Sequence, residues 1–153
     1  MNKNRFIKQI RFHEGVESKV YKDHLGIETI GVGRNLKDRG LSEDEIDYLL
    51  TNDIQIIENE LDSAMPWWRD LDEVRQRAVA DLAFNMGLPR LHGFVKMLDG
   101  LQRRDYHAAA KELLDSKYAK QVGARSERVA GMIRTGEDSA CLLYTSPSPR
   151  DNR

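Results

Sequence analysis

The sequence predicts an α+β fold, mainly α, in which a small N-terminal β-hairpin lobe is joined by one long helix to a helical C-terminal lobe. Three observations predict it. Apolar residues recur at helical spacing through most of the chain, that period is lost only over residues 19–33, and one apolar stripe runs from Ile46 to Leu61 without interruption.

The first segment places Phe6, Ile7, Ile10 and Glu14 within one face at about 100° per residue, so the acid projects where the apolar side chains project. Gly15 follows as a helix stop, since glycine adopts the left-handed backbone that ends helices. Val20-Tyr21-Lys22 and residues 27–32 then read as two short strands around the turn Asp23-His24-Leu25-Gly26. Gly31 and Gly33 suggest a bulge or a place where another backbone or a ligand approaches closely. Beyond the loop 35–40, Ser42 and Glu45 form a capping box that opens the long helix of about 42–61. Pro66 breaks the pattern. Residues 72–86 read as a helix ended by Gly87-Leu88-Pro89, and further helices are expected over 94–101, 106–114 and 124–133.

The expected organisation is one domain over 1–144, with an N-terminal lobe at about 13–42, the linking helix, and a helical lobe over 62–144 on which the helix 1–14 packs. Residues 145–153, rich in Ser, Pro and Arg, have no periodicity and are expected to be disordered. Their wording resembles a translated cloning or adaptor fragment more than a helix end.

With 153 residues the chain can bury a core without disulfide or metal staples. Its single cysteine, Cys141, can form no internal disulfide, which fits synthesis in a reducing cytoplasm. Lys3, Arg5, Lys8 and Arg11 interrupt any signal-like apolar run, and no segment reads as a membrane span, so stable membrane insertion is not expected. Net charge is −1, but residues 41–73 carry eleven acids against Arg69 alone, whereas residues 103–134 carry eight Lys or Arg against four acids. The basic stretch suits an anionic polymer, or is simply a solvated helix face. Nucleic acid is not an expected partner: basic residues are not interleaved with aromatics, and the acidic helix would repel phosphate. His13, His24, His92 and His107 lack ligand spacing, so no metal is expected. Trp67-Trp68 reads as core more readily than as a sugar platform, and Tyr118 either edges a cleft or packs.

Glu14 at a helix end, Asp23 nine residues on and Thr29 six further suggest an acid facing a base. Glycoside hydrolysis needs one carboxyl group protonated to assist the leaving oxygen and one ionised to activate water. A carboxyl sharing a face with Phe6, Ile7 and Ile10 is expected to be partly desolvated, which favours its protonated form. Asp23, between Lys22 and His24, is expected to stay solvated and ionised. Thr29 carries a hydroxyl able to position water, although threonine in a strand commonly serves β-propensity alone.

The run Phe12-His13-Glu14-Gly15, then Tyr21-Lys22-Asp23, Gly26 and Thr29-Ile30-Gly31-Val32-Gly33, resembles the catalytic signature of the T-even-phage lysozymes, glycoside hydrolase family 24. Phe84-Asn85-Met86-Gly87, Gly93-Phe94, Ala108-Ala109-Ala110 and the stretch from Arg125 to Arg134-Thr135-Gly136 resemble that family's helical lobe in the same order. The resemblance covers about residues 5–136 and implies a lysozyme-like fold and a cofactor-free endolysin. Such an enzyme cuts the β-1,4 bond between N-acetylmuramic acid and N-acetylglucosamine in peptidoglycan glycan strands. It implies Glu14 as proton donor, Asp23 as the carboxylate guiding water and Thr29 as its helper. Phe84, Asn85 and Asn35 are implied as substrate-binding positions, and Arg125 as a support paired with the catalytic glutamate. Arg125 would favour the ionised glutamate and burial the protonated one.

The resemblance further implies a monomer in the host bacterial cytoplasm that reaches the wall after holin release, and inversion at the anomeric centre, which needs carboxyl groups about 6.5–9.5 Å apart. Arg34 stands where the best-known member of the family has a histidine, so a structural His-Asp pair is absent. The loop 35–40 is short, which predicts a smaller N-terminal lobe and a more open cleft. Glu137-Asp138-Ser139 replace expected aromatics. The altered C-terminus and near-neutral charge motivate an alternative: a catalytically weak, wall-binding protein of the same fold.

Overall fold

The computed structural model describes residues 1–139; Cys141, the predicted domain end at 144 and the tail 145–153 lie outside the described residues. The chain divides into two compact units, Met1–Thr51 and Asn52 onward.

In the first unit, α1 (Lys3–Glu14) starts on Asn2, whose side-chain oxygen accepts the Arg5 N–H at 3.0 Å, and ends at Gly15. Three antiparallel strands follow in sequence order, β1 (Glu17–Lys22), β2 (Glu28–Gly31) and β3 (Arg34–Asn35). The expected hairpin is present, with Tyr21 opposite Thr29 and Lys22 opposite Glu28; the register slips between Glu17 and Tyr21. The third strand was not expected. It pairs Thr29 with Asn35 and Ile30 with Arg34, so part of the predicted loop 35–40 is sheet edge. Thr29, paired on both sides, is the one buried residue of this unit, at 3% exposure.

The helix α2 (Glu43–Ala64) begins on the predicted capping box: the Glu45 N–H donates to Ser42 Oγ at 3.2 Å and the Ser42 N–H to Glu45 Oε1 at 2.9 Å. The boundary between the units falls within it.

In the second unit, Pro66 ends the α2 pattern and opens a 3-10 helix, Pro66–Asp70. Helix α3 (Glu73–Met86) is capped by Asp72 and stopped by Gly87. Then come α4 (Leu88–His92), α5 (Val95–Gln102), α6 (Tyr106–Leu114), α7 (Lys117–Val122) and α8 (Ala124–Thr135). Both α4 and α7 escaped the sequence reading, because five or six residues do not complete a recognisable apolar period. Helix α8 packs on α3, α6 and α7, and α5 packs on α6. The core collects Leu61, Val79, Leu82, Leu91, Leu101, Leu113 and Ile133, all fully or almost fully buried. Trp68 belongs to it as expected, and its indole N–H donates to Asp62 at 2.8 Å.

Arg75 ties α3 to the end of α8. Its Nε donates to the Ile133 carbonyl at 2.6 Å and Nη2 to the Arg134 carbonyl at 3.2 Å, while its guanidinium stacks 3.5 Å from the Tyr106 ring centroid. A cation thereby meets the unpaired carbonyls at the C-terminus of α8, where the helix dipole favours it. Gly136, in the left-handed conformation, leaves room: a Cβ there would stand 2.9 Å from Arg75 Nη1.

No helix of the described residues is long and apolar enough to cross a membrane.

Candidate active site

Glu14 is the last residue of α1, and its carboxyl lies over the backbone of Gly33. A Cβ at residue 33 would stand 3.4 Å from Glu14 Oε2, and Gly33 has φ +73°. At Gly33 the approaching group is a side chain, that of the candidate acid, rather than the backbone or ligand expected, and at Gly31 a Cβ would meet nothing within 4 Å.

Within the first unit nothing gives Glu14 the expected shelter. Glu14 is exposed, α1 has no buried residue, and Phe6 and Ile7 remain 43% and 54% exposed. The physical reason lies within the first unit, which contains no buried apolar side chain and so offers α1 no core of its own. Helical spacing identifies a face but not what covers it.

Asp23 and Thr29 share one anchor, the Ile27 peptide. Asp23 Oδ1 accepts the N–H of Leu25 at 2.8 Å and of Ile27 at 2.9 Å, while the Asp23 N–H donates to the Ile27 carbonyl at 3.0 Å. The Thr29 hydroxyl donates to that same carbonyl at 2.8 Å. The aspartate thus closes the hairpin turn with its own side chain. The Ile27 N–H, above all, holds the Asp23 carboxyl below the usual carboxylate range; partial desolvation opposes this, and the Leu25 N–H and the neighbouring His24 reinforce it. Asp23 is accordingly an ionised acceptor, as its turn position predicted. With its proton committed to Ile27, the Thr29 hydroxyl can engage a further group only by accepting a hydrogen bond.

Asn35 is engaged within its turn: Nδ2 donates to Asp38 at 3.0 Å and Oδ1 accepts the Asp38 N–H at 2.8 Å. Glu14, Asp23, Thr29 and Asn35 all belong to the first unit, and Phe84, Asn85 and Arg125 to the second.

In the second unit, Phe84 is 46% exposed at the end of α3. Asn85 Oδ1 accepts a hydrogen bond from the Tyr118 hydroxyl. Tyr118 is buried, which resolves its two expected roles in favour of packing. Burial pushes its phenol up, the Arg125 charge pulls it down and Asp81 raises it, with a net upward shift that keeps the donated proton in place. Phe94 meets its ring edge-on. Arg125 is held by Asp81, with Nε donating at 2.9 Å and Nη2 at 2.8 Å from the same carboxylate oxygen. Asn85 and Arg125 are thus each held within the second unit, the one by Tyr118 and the other by Asp81.

A profile of the phage lysozyme family matches residues 11–137, which spans the hairpin, the long helix and the helices as far as α8. The chain belongs to the phage lysozyme family. The chain is 24% identical over 156 residues to probable T4-type lysozyme 1 of Dictyostelium discoideum, an alignment covering 83% of this chain and 92% of that protein. It is 25% identical over 156 residues to probable T4-type lysozyme 2 of the same organism, with the same coverage. It is 26% identical over 155 residues to the pre-baseplate central spike protein Gp5 of Enterobacteria phage T4, covering 83% of this chain and 27% of that much longer protein. The α+β, mainly α, lysozyme-like fold is therefore as expected, and the protein is a lysozyme-like glycosidase.

Two elements of the site escaped the sequence reading. One is the main chain of Ile27, which carries no side-chain signal. The other is Arg34. Although no His-Asp pair can form at this position, Arg34 makes an ion pair of its own with Glu45 at 2.8 Å. Glu45 was visible in the capping box, but its second partner lies eleven residues back in sequence and cannot be read from local spacing.

Proposed function

We propose that this lysozyme is a muramidase acting as an endolysin: it hydrolyses the β-1,4 bond between N-acetylmuramic acid and N-acetylglucosamine in peptidoglycan, with Glu14 as general acid and Asp23 and Thr29 directing water. The observation that carries the reading is the pairing of an exposed carboxyl seated on Gly33 with an ionised aspartate and a threonine hydroxyl both fixed by the main chain of Ile27.

In this reaction the protonated Glu14 gives its proton to the glycosidic oxygen as the bond to the anomeric carbon breaks, and the bonding electron pair leaves with that oxygen. Water attacks the anomeric carbon and passes a proton to Asp23, while Thr29 accepts the water's other hydrogen in a hydrogen bond. Attack by water on the face opposite the leaving group inverts the centre. Phe84, Asn85 and Asn35 contact the glycan, and Arg125 supports the acid. The enzyme acts as a monomer made in the host cytoplasm and reaches the wall through a holin lesion.

The test is release of reducing ends from purified peptidoglycan by the wild type and by Glu14→Gln, together with clearing of chloroform-permeabilised Gram-negative cells. Wild-type turnover and a variant with unchanged circular dichroism but no turnover are expected. Retained lysis by the variant would refute the assignment.

A further inference from the structure

Gly33, the seat of the Glu14 carboxyl, lies in the short link between β2 and β3, and what fixes the far side of that link is the next residue, Arg34. Its Nη1 donates to the Gly40 carbonyl at 3.0 Å and to Glu45 Oε1 at 2.8 Å, and lies 2.8 Å from the other oxygen, Oε2. One guanidinium therefore closes the loop after β3 and fastens it to the first turn of α2. Glu45 is itself held there by the Ser42 N–H. On its other side, the link is held by β2, where Ile30 pairs with Arg34 and Thr29 with Asn35.

This unit has no apolar core to hold these parts in register, its one buried residue being Thr29. Polar clamps must do that work, and here Nη1 alone spans the Gly40 carbonyl and both oxygens of Glu45.

We propose that Arg34 is a positioning residue for Glu14: by pinning β3 to the α2 capping box it fixes Gly33, and through Gly33 the place of the acid's carboxyl. This rests on the reading of Glu14 as the proton donor. Arg34 itself touches no reacting atom. Its loss is expected to let the seat of Glu14 drift, and small misplacements of a catalytic group reduce rates steeply.

The experiment compares wild type, Arg34→Ala and Arg34→Lys well below their melting temperatures. It measures reducing-end release at saturating peptidoglycan and the carboxyl resonance of Glu14 in protein labelled with carbon-13 glutamate. Arg34→Ala should lose about tenfold in maximal rate with little change in half-saturation. Its Glu14 resonance and titration midpoint should move, and Arg34→Lys, which can keep part of the clamp, should recover part of both. If alanine unfolds the first unit, the lysine variant carries the same comparison. A Glu14 resonance and titration identical to wild type, with rates that fall only as the folded fraction falls, would overturn the proposal. Absence of turnover in the wild type would refute the muramidase reading instead, and the resonance would still decide the link from Arg34 to Glu14.

Discussion

The carboxyl of Glu14 rests on Gly33, whose φ of +73° and missing side chain together leave the space it occupies. Alanine at residue 33 would have to adopt a left-handed backbone, costing about 1–2 kcal/mol, and would set a methyl group against one carboxylate oxygen. Gly33→Ala should therefore lower thermal stability modestly and the rate of reducing-end release by about tenfold or more. A variant that melts early but turns over at the wild-type rate would show that the seat is structural only.

Asp23 combines two jobs that substitution can separate. Its Oδ1 closes the turn by accepting two N–H groups, and its negative charge is the proposed acceptor of water's proton. Asparagine keeps an acceptor oxygen and loses the charge. Asp23→Asn should keep its melting temperature near neutral pH and lose nearly all turnover, whereas Asp23→Ala should lose both. Comparable turnover in Asp23→Asn and wild type would remove Asp23 from the mechanism.

The pH dependence of the first unit follows from Glu45. The Arg34 guanidinium, above all, and the N–H and hydroxyl of Ser42 hold its carboxyl down at about 2. Its folded-state value is lowered, so its contribution to stability is complete above the ordinary glutamate range and is lost as pH falls through that range toward about 2. Asp23, lowered in the same direction, adds to the same acid side. In thermal melts between about pH 6 and pH 2, Glu45→Gln should start less stable than wild type and lose less on acidification. Parallel curves for the two proteins would show that Glu45 does not carry this dependence.

How much of this was legible in the sequence depended on whether the cause was local. The Asp23–Gly26 turn, the Ser42–Glu45 box and the Gly87 stop are set by residues within four positions of one another, and each was read where it occurs. Strand β3 has two residues and no period to read. The Arg34–Glu45 clamp and the Tyr118–Asn85 link join residues separated in sequence by 11 and 33 positions, so only folding brings them together. Thr29 was assigned correctly to a strand, but its burial follows from β3 pairing on its other side. For Glu14 the helical face was read correctly and its shelter was not, because covering that face requires an apolar surface that the first unit lacks.

The link from α5 to α6 offers a test of backbone strain away from the candidate site. Arg104 has φ +61°, the one positive value at a non-glycine among the described residues. Its N–H donates to the Leu101 carbonyl at 3.2 Å, and the Asp105 N–H donates to the Gly100 carbonyl at 2.8 Å. That pair of bonds is the Schellman arrangement, with Arg104 at the left-handed position where glycine is favoured. Asp105 cannot shift to relieve it, since its side chain caps α6 by accepting the Ala108 N–H at 3.2 Å. Nor can Gly100, whose missing side chain admits Ala109: a Cβ at 100 would stand 3.1 Å from the Ala109 Cβ. The turn is thus fixed at both ends and the strain stays on Arg104. Glycine there removes about 1–2 kcal/mol of left-handed strain and gives back part of it through the greater freedom of the unfolded chain. Arg104→Gly should therefore stabilise the protein by roughly 0.5–1 kcal/mol in urea unfolding and leave turnover unchanged. Destabilisation would show that the arginine side chain contributes more to the folded state than its backbone costs.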